Sequence, residues 1–177
     1  MAMCARRIVL YLLVTASLIA FLPGTARSTE TSKLSVTDLT KAAQVVILGR
    51  IVNLKTIVLN GEPWTIATFA VEQTLKGDAK GMIYFRIPGG MQQVNGRTLV
   101  TKVEGAPELS TMQRGVLFLS GRAPEYFTPV GLGQGYWRVE AENGRDVVRP
   151  SEYVPDSPAQ PLVEFLREIE RSKEKQR

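Results

Sequence analysis

Val45-Val46-Ile47-Leu48-Gly49-Arg50-Ile51-Val52 is an almost unbroken apolar run, and Asn60-Gly61 follows it. The run is rich in β-branched residues, which suit a pleated sheet. Its near-continuity predicts a strand buried on both faces over part of its length. Asn-Gly supplies the two positive-φ residues of a type I′ turn, whose twist matches that of a hairpin. The same dipeptide recurs at Asn95-Gly96 and Asn143-Gly144. The first joins strand-like segments 45–59 and 63–75, the second 91–94 and 97–102, the third 135–141 and 146–149. Three such turns between strand-like runs predict an antiparallel sheet.

Working outward, Phe69, Val71 and Leu75 are expected on one side of the second strand, with Glu72 and Thr74 on the other. Ile83, Phe85 and Ile87 alternate with Tyr84 and Arg86 until Pro88-Gly89-Gly90 stops the strand. Val116-Leu117-Phe118-Leu119 is the expected central buried strand, and Tyr126–Val130 and Tyr136–Val139 the last long ones. Residues 103–114, with Gly105-Ala106-Pro107, read as a loop. Ser35-Val36-Thr37-Asp38 has the form of a capping box and predicts a short helix over about 36–43. Leu162, Phe165, Leu166 and Ile169 lie at the spacing of one helical face, and Pro158 is expected at the first helical position. Residues 172–177 read as a charged, frayed tail. The fold class is therefore all-β with short flanking helices: an OB-like or related antiparallel barrel of about six to eight strands.

The first residues carry Arg6-Arg7, then fifteen uncharged and mostly apolar residues from Ile8 to Leu22, then Pro23-Gly24-Thr25-Ala26. That is the pattern of a secretory signal peptide, with cleavage expected after about Ala26. The apolar run is shorter than the roughly 20 residues that span a bilayer, so no integral membrane segment is expected after cleavage. Arg6-Arg7-Ile8 also matches the core of a twin-arginine signal, which leaves the general secretory and twin-arginine routes both open. The organisation is then a signal peptide over 1–26, a leader over 27–34, a β-domain over 35–155, and a C-terminal helix and tail over 156–177. The expected location is periplasmic or secreted.

The chain has no His and a single Cys, Cys4, which the cleavage removes. A chain without either lacks Ser-His-Asp and Cys-His catalysis, Cys/His metal sites and disulfides. No cofactor and no metal are expected. Loss of Arg6 and Arg7 lowers the net charge from +5 to +3. That is a weak excess, with no clustered basic stripe to suggest nucleic acid.

Several segments in order carry a resemblance: 44–52, Thr68–Gly77, Pro88–Gly90, Gly105–Pro107, Gly115–Leu119 and Val130–Val139. Together they are similar to a group of small secreted bacterial proteins of unassigned function. Phe69-Ala70-Val71-Glu72-Gln73-Thr74-Leu75-Lys76-Gly77 also resembles the first strands of the OB-like barrel in tissue inhibitors of metalloproteinases and netrin-like modules. The resemblance implies a small barrel and an inhibitory activity. Those modules depend on an N-terminal Cys and several disulfides, and the mature chain has no Cys.

Gly131-Leu132-Gly133-Gln134-Gly135 lacks the strand–loop–helix setting of a phosphate loop and reads as a bend in the sheet. Ser172-Lys173-Glu174-Lys175 formally matches S-x-x-K, but in a solvated tail nothing would desolvate the lysine. Glu62, Glu72, Glu104, Glu108, Glu140 and Asp146 are the remaining acid–base resource, and two of them would have to face one cleft to act as a pair. Trp64, Tyr84, Arg86, Tyr136, Trp137 and Arg138 are the expected ligand-binding residues, by stacking on one barrel face, with Tyr126 as a further aromatic. The leading functional expectation is a non-enzymatic binding module of the cell envelope. Its partner would be an envelope or secreted protein or a glycan, not nucleic acid. A carboxylate-dependent hydrolase and an inhibitor of a secreted protease are the alternatives.

Overall fold

A computed structural model describes residues 33–121, 126–151 and 158–175. The expected signal peptide lies outside the described residues. Helix α1 (Val36–Ala42) begins at Ser35 with a complete capping box: the Ser35 hydroxyl accepts from the Asp38 amide, and the Asp38 carboxylate accepts from the Ser35 amide. Strands β1 (Val45–Leu59) and β2 (Glu62–Lys76) form a long hairpin through Asn60-Gly61. Next come β3 (Met82–Pro88), β4 (Gly90–Val94) and β5 (Arg97–Thr101), the last two joined through Asn95-Gly96. Strands β6 (Arg114–Ser120), β7 (Thr128–Pro129), β8 (Tyr136–Glu142), β9 (Arg145–Pro150) and β10 (Gln160–Pro161) precede helix α2 (Leu162–Glu174). Asn and Gly of all three Asn-Gly turns have positive φ, as a type I′ turn requires.

The main sheet runs β10-β9-β8-β6-β1-β2-β3, and β4 and β5 pair only with each other. All its strand pairs are antiparallel. β7 pairs with β6 beyond the end of β8, and Phe127, just before β7, bridges Phe85 of β3 in parallel.

Two cores lie on opposite faces of this sheet, which explains the continuous apolar runs in β1 and β6. Val46, Leu48, Val116 and Phe118 face one core with Leu39, Trp137, Phe165 and Ile169. Val45, Ile47, Leu117 and Leu119 face the other with Phe69, Phe85, Ile87 and Tyr136. Both α1 and α2 supply residues to the first core only.

Four local expectations are corrected. Leu75 lies in the helix-covered core rather than beside Phe69, because Glu72 is an extra residue in β2 opposite β1; Leu75 is itself a second one. Each bulge shifts the alternation by one and moves the following side chains across the sheet. Helix α2 starts at Leu162, four residues after Pro158. Pro161 holds Gln160 in an extended conformation, and both residues pair with β9 before the helix begins. The helix continues through Ser172, which is buried, so the expected tail is helical to Glu174. Ser172 continues the Phe165–Ile169 stripe, shares a hydrogen bond with Thr37 Oγ1 at 3.1 Å, and donates to the Glu168 carbonyl. The expected strand over 126–130 is only two paired residues with one bridge, since Gly131 and Leu132 turn the chain with positive φ.

Candidate functional site

Beyond an outward row of Arg50, Ala70 and Met82, the hairpin and β3 set out nine more outward side chains in three rows. β2 and β3 align Thr68 with Tyr84, Ile66 with Arg86 and Trp64 with Pro88. β1 adds Asn53 opposite Thr68, Lys55 opposite Ile66 and Ile57 opposite Trp64. Residues opposite each other in an antiparallel pair share a face. The rows are therefore Asn53-Thr68-Tyr84, Lys55-Ile66-Arg86 and Ile57-Trp64-Pro88. Val52, an unpaired extra residue in β1, sets this alternation. The helix-covered core takes only Leu75 from β2 and nothing from β3, so both helices leave these rows open.

Tyr84 is 52% exposed, whereas Ile66 in the middle row is buried. The Arg86 guanidinium carbon sits 5.1 Å from the centre of the Trp64 ring, within range of cation–π attraction. Arg86 Nε is buried and has no hydrogen-bond partner among the described residues. A buried donor without an acceptor costs free energy. The arrangement presents one stacked cation, one further cation on Lys55, and an exposed aromatic ring on an open sheet face.

Of the six residues expected to bind ligand, Trp64, Tyr84 and Arg86 are brought together here. Tyr136 and Trp137 are not on this face: they are 0% and 5% exposed and belong to the two different cores. Neighbouring strand residues point to opposite faces, and both faces of β8 are covered. Burial pushes the Tyr136 hydroxyl well above the ordinary tyrosine range, with the charge of Arg138 opposing, so it stays protonated at neutral pH. Arg138 shares the Tyr136 side of β8, away from the Trp64 face. Its buried Nε also lacks a partner among the described residues. The expectation missed Asn53, Lys55 and Ile57, whose alternation was visible in the sequence once Val52 is set aside.

Gly131–Gly135 is a structural knot. A 3₁₀ turn over Leu132–Gly135 places Gln134 so that its side-chain oxygen accepts from the Leu34 amide at 2.7 Å. The Gln134 carbonyl accepts from Trp137 Nε1 at 3.1 Å, and the Gly133 carbonyl from Ser151 Oγ at 2.6 Å. A Cβ on Gly135 would fall 2.5 Å from the Val130 carbonyl oxygen.

Of the six candidate carboxylates, Glu72, Glu140 and Asp146 are held by guanidinium groups and Glu108 by a lysine. Glu72 accepts from Arg50 Nε at 3.0 Å and from Arg114 Nε at 2.7 Å, and Arg114 also donates to Asp146. Arg149 holds Glu140 and Glu142, and Lys102 holds Glu108. Partial burial pushes the Glu72 carboxyl upward, but the hydrogen bonds from Arg114 and Arg50 outweigh it and hold the group below its usual range. A general acid needs the opposite shift.

Stability contributed by Glu72 is present above its unfolded pKa, about 4.3, and is lost as pH falls through its folded value. Glu72→Gln is expected to destabilise by about 1 kcal/mol at pH 7, a partly exposed network being worth little more. The gap from wild type should shrink below about pH 4. Urea unfolding at pH 7 and pH 3 measures it, and a gap independent of pH would contradict the assignment.

No described helix is long and apolar enough to cross a membrane, and no group of three or more metal-ligating side chains occurs among the described residues. No protein-family model matches the chain, and no curated protein matches it. The functional reading therefore rests on the residues themselves.

Proposed function

We propose that the chain is an exported, non-enzymatic binding module of the cell envelope that takes its ligand on the β1–β3 face. The observation that carries this is Arg86 stacked on Trp64, its buried Nε without an acceptor, beside the exposed Tyr84 ring. A ligand on this face meets the guanidinium stacked on Trp64, and the aromatic rings supply contact area at low entropic cost. Glu72, held low by Arg114 and Arg50, favours this reading over a hydrolase with Glu72 as its acid.

An OB-like closure of the strands is part of the proposal. Arg86 N donates to the Phe127 carbonyl at 2.8 Å, Phe127 N donates to the Tyr84 carbonyl at 3.1 Å, and β7 pairs with β6. These bonds support a ring β1-β2-β3-β7-β6. In OB-folds the face of strands 2 and 3 is the one that binds oligonucleotides and oligosaccharides. Export is supported by the residue pattern over 1–26, and N-terminal sequencing of the protein recovered outside the cytoplasm tests cleavage after Ala26.

The processed protein is expected to bind its own cell-envelope fraction. Trp64→Ala combined with Tyr84→Ala should weaken that binding about tenfold or more, stacked aromatics being worth roughly 1–3 kcal/mol each. Thermal melting of the variant controls for its fold. Undiminished binding by a folded double variant would rule out this face.

A further inference from the structure

We propose that the ligand of this face is an acidic polysaccharide, one whose sugar rings carry carboxylates; this rests on the reading of the face as a binding site. The middle row sets Lys55 and Arg86 on either side of the buried Ile66, across three mutually paired strands. With neighbouring strands about 4.8 Å apart, the backbones of the two cations are about 10 Å apart. Tyr84 and Arg86 lie two residues apart on one strand, hence on one face and about 7 Å apart. A sugar ring laid on Tyr84 with its apolar C–H side can direct a ring carboxylate at the Arg86 guanidinium. Guanidinium pairs with carboxylate in a planar, charge-assisted geometry. Thr68, opposite Tyr84, and Trp64 are four residues apart on β2, about 13 Å, so a chain of sugars reaches both aromatic corners and a single sugar does not.

The charge pattern favours this class over two others. Nucleic acid binding neutralises many phosphates, and tight binders make 6–10 such contacts. This face offers Lys55 and Arg86, and one row further on Arg50, whose guanidinium is already paired with Glu72, while Glu62 lies at its far end in the same alternation as Trp64. An acidic peptide added as a strand needs an open strand edge beside the cations. A strand added to the outer edge of β1, which is unpaired with β6 beyond Arg50, would lie beside Lys55 but two strands away from Arg86, and would leave the Arg86–Trp64–Tyr84 group unused.

Polygalacturonate and its fully methyl-esterified form test the idea, because they share a backbone and differ in the carboxylate charge. The processed protein should bind the acid form at least tenfold more tightly than the ester, with a preference that falls as salt rises. Arg86→Gln should abolish the preference, Arg86→Lys should restore part of it, and Trp64→Phe should keep it. The ester comparison needs no variant, so it stands even if Arg86→Gln fails to fold. Equal binding of acid and ester, lost in the Trp64→Ala and Tyr84→Ala double variant, overturns the acidic assignment and leaves the face intact. The same holds for envelope binding that depends on those aromatics without any polygalacturonate binding. Polyglutamate or an oligonucleotide bound more tightly than polygalacturonate overturns the sugar assignment. Polygalacturonate binding unchanged in every folded face variant overturns the face itself.

Discussion

Phe165→Ala is expected to destabilise the protein by about 4 kcal/mol, the largest loss from any single truncation of the helix-covered core. Phe165 is fully buried and is the aromatic through which α2 meets the sheet. Its ring stands edge-on to Phe118 of β6, with centroids 6.2 Å apart, and lies 4.6 Å from Trp137 of β8. One side chain thus fastens the helix to two neighbouring strands. Truncation removes the buried area and both ring contacts, and it opens a cavity that β6, itself held between β1 and β8, is poorly placed to fill. Val163→Ala, on the exposed side of the same helix, is expected to change stability by under about 0.5 kcal/mol. Urea unfolding measures both. The emission of Trp137, one of two tryptophans, should shift to the red in Phe165→Ala as its environment becomes wetter. A loss below about 1 kcal/mol would show that the helix contributes little to the fold.

The sheet was legible in the sequence because its local signals agree with one another. Asn60-Gly61, Asn95-Gly96 and Asn143-Gly144 each fix a turn type that only a hairpin satisfies, and each sits where the chain reverses. The apolar run Val45–Leu48 announced a strand with two covered faces, and the structure supplies a core for each. The bulges at Glu72 and Leu75 were not legible. A bulge inserts one residue without a distinctive side chain, and only the opposing strand reveals it. Plain alternation therefore puts Leu75 on the Phe69 side, whereas it faces the helix-covered core. Tyr136 and Trp137 are neighbours in one strand, so they point to opposite faces and cannot share one ligand surface. The same rule correctly keeps Tyr84 and Arg86 together. That Trp64 lies beside Arg86 was not in the sequence, because it depends on the β2–β3 register.

Gly49→Ala and Gly115→Ala are each expected to cost about 3 kcal/mol, at the upper end of what one added methyl group does in a packed interior. The two glycines face each other across β1 and β6. Neither needs glycine for its backbone angles, since neither is among the positive-φ residues. The requirement is one of space. A Cβ on Gly49 would fall 2.1 Å from the Ala70 carbonyl oxygen and 2.7 Å from the Phe69 ring. At Gly115 it would fall 2.5 Å from the Tyr136 ring and 2.8 Å from the Trp137 carbonyl oxygen. Tyr136 thus packs over a position kept bare, and β2 approaches β1 closely where the Glu72 bulge bends it. The obstacle at Gly49 is backbone, which cannot rotate away, so Gly49→Ala should be the worse of the two. Gly144→Ala is the contrast: its Cβ would meet nothing within 4 Å, but its φ is +75°. Its cost is conformational, about 1–2 kcal/mol. If chemical unfolding ranks Gly144→Ala as more damaging than Gly49→Ala, close approach of β1 and β2 is not what reserves position 49 for glycine. If Gly49→Ala and Gly115→Ala together cost much less than twice 3 kcal/mol, the pair shares one relaxation, as opposed residues on neighbouring strands can.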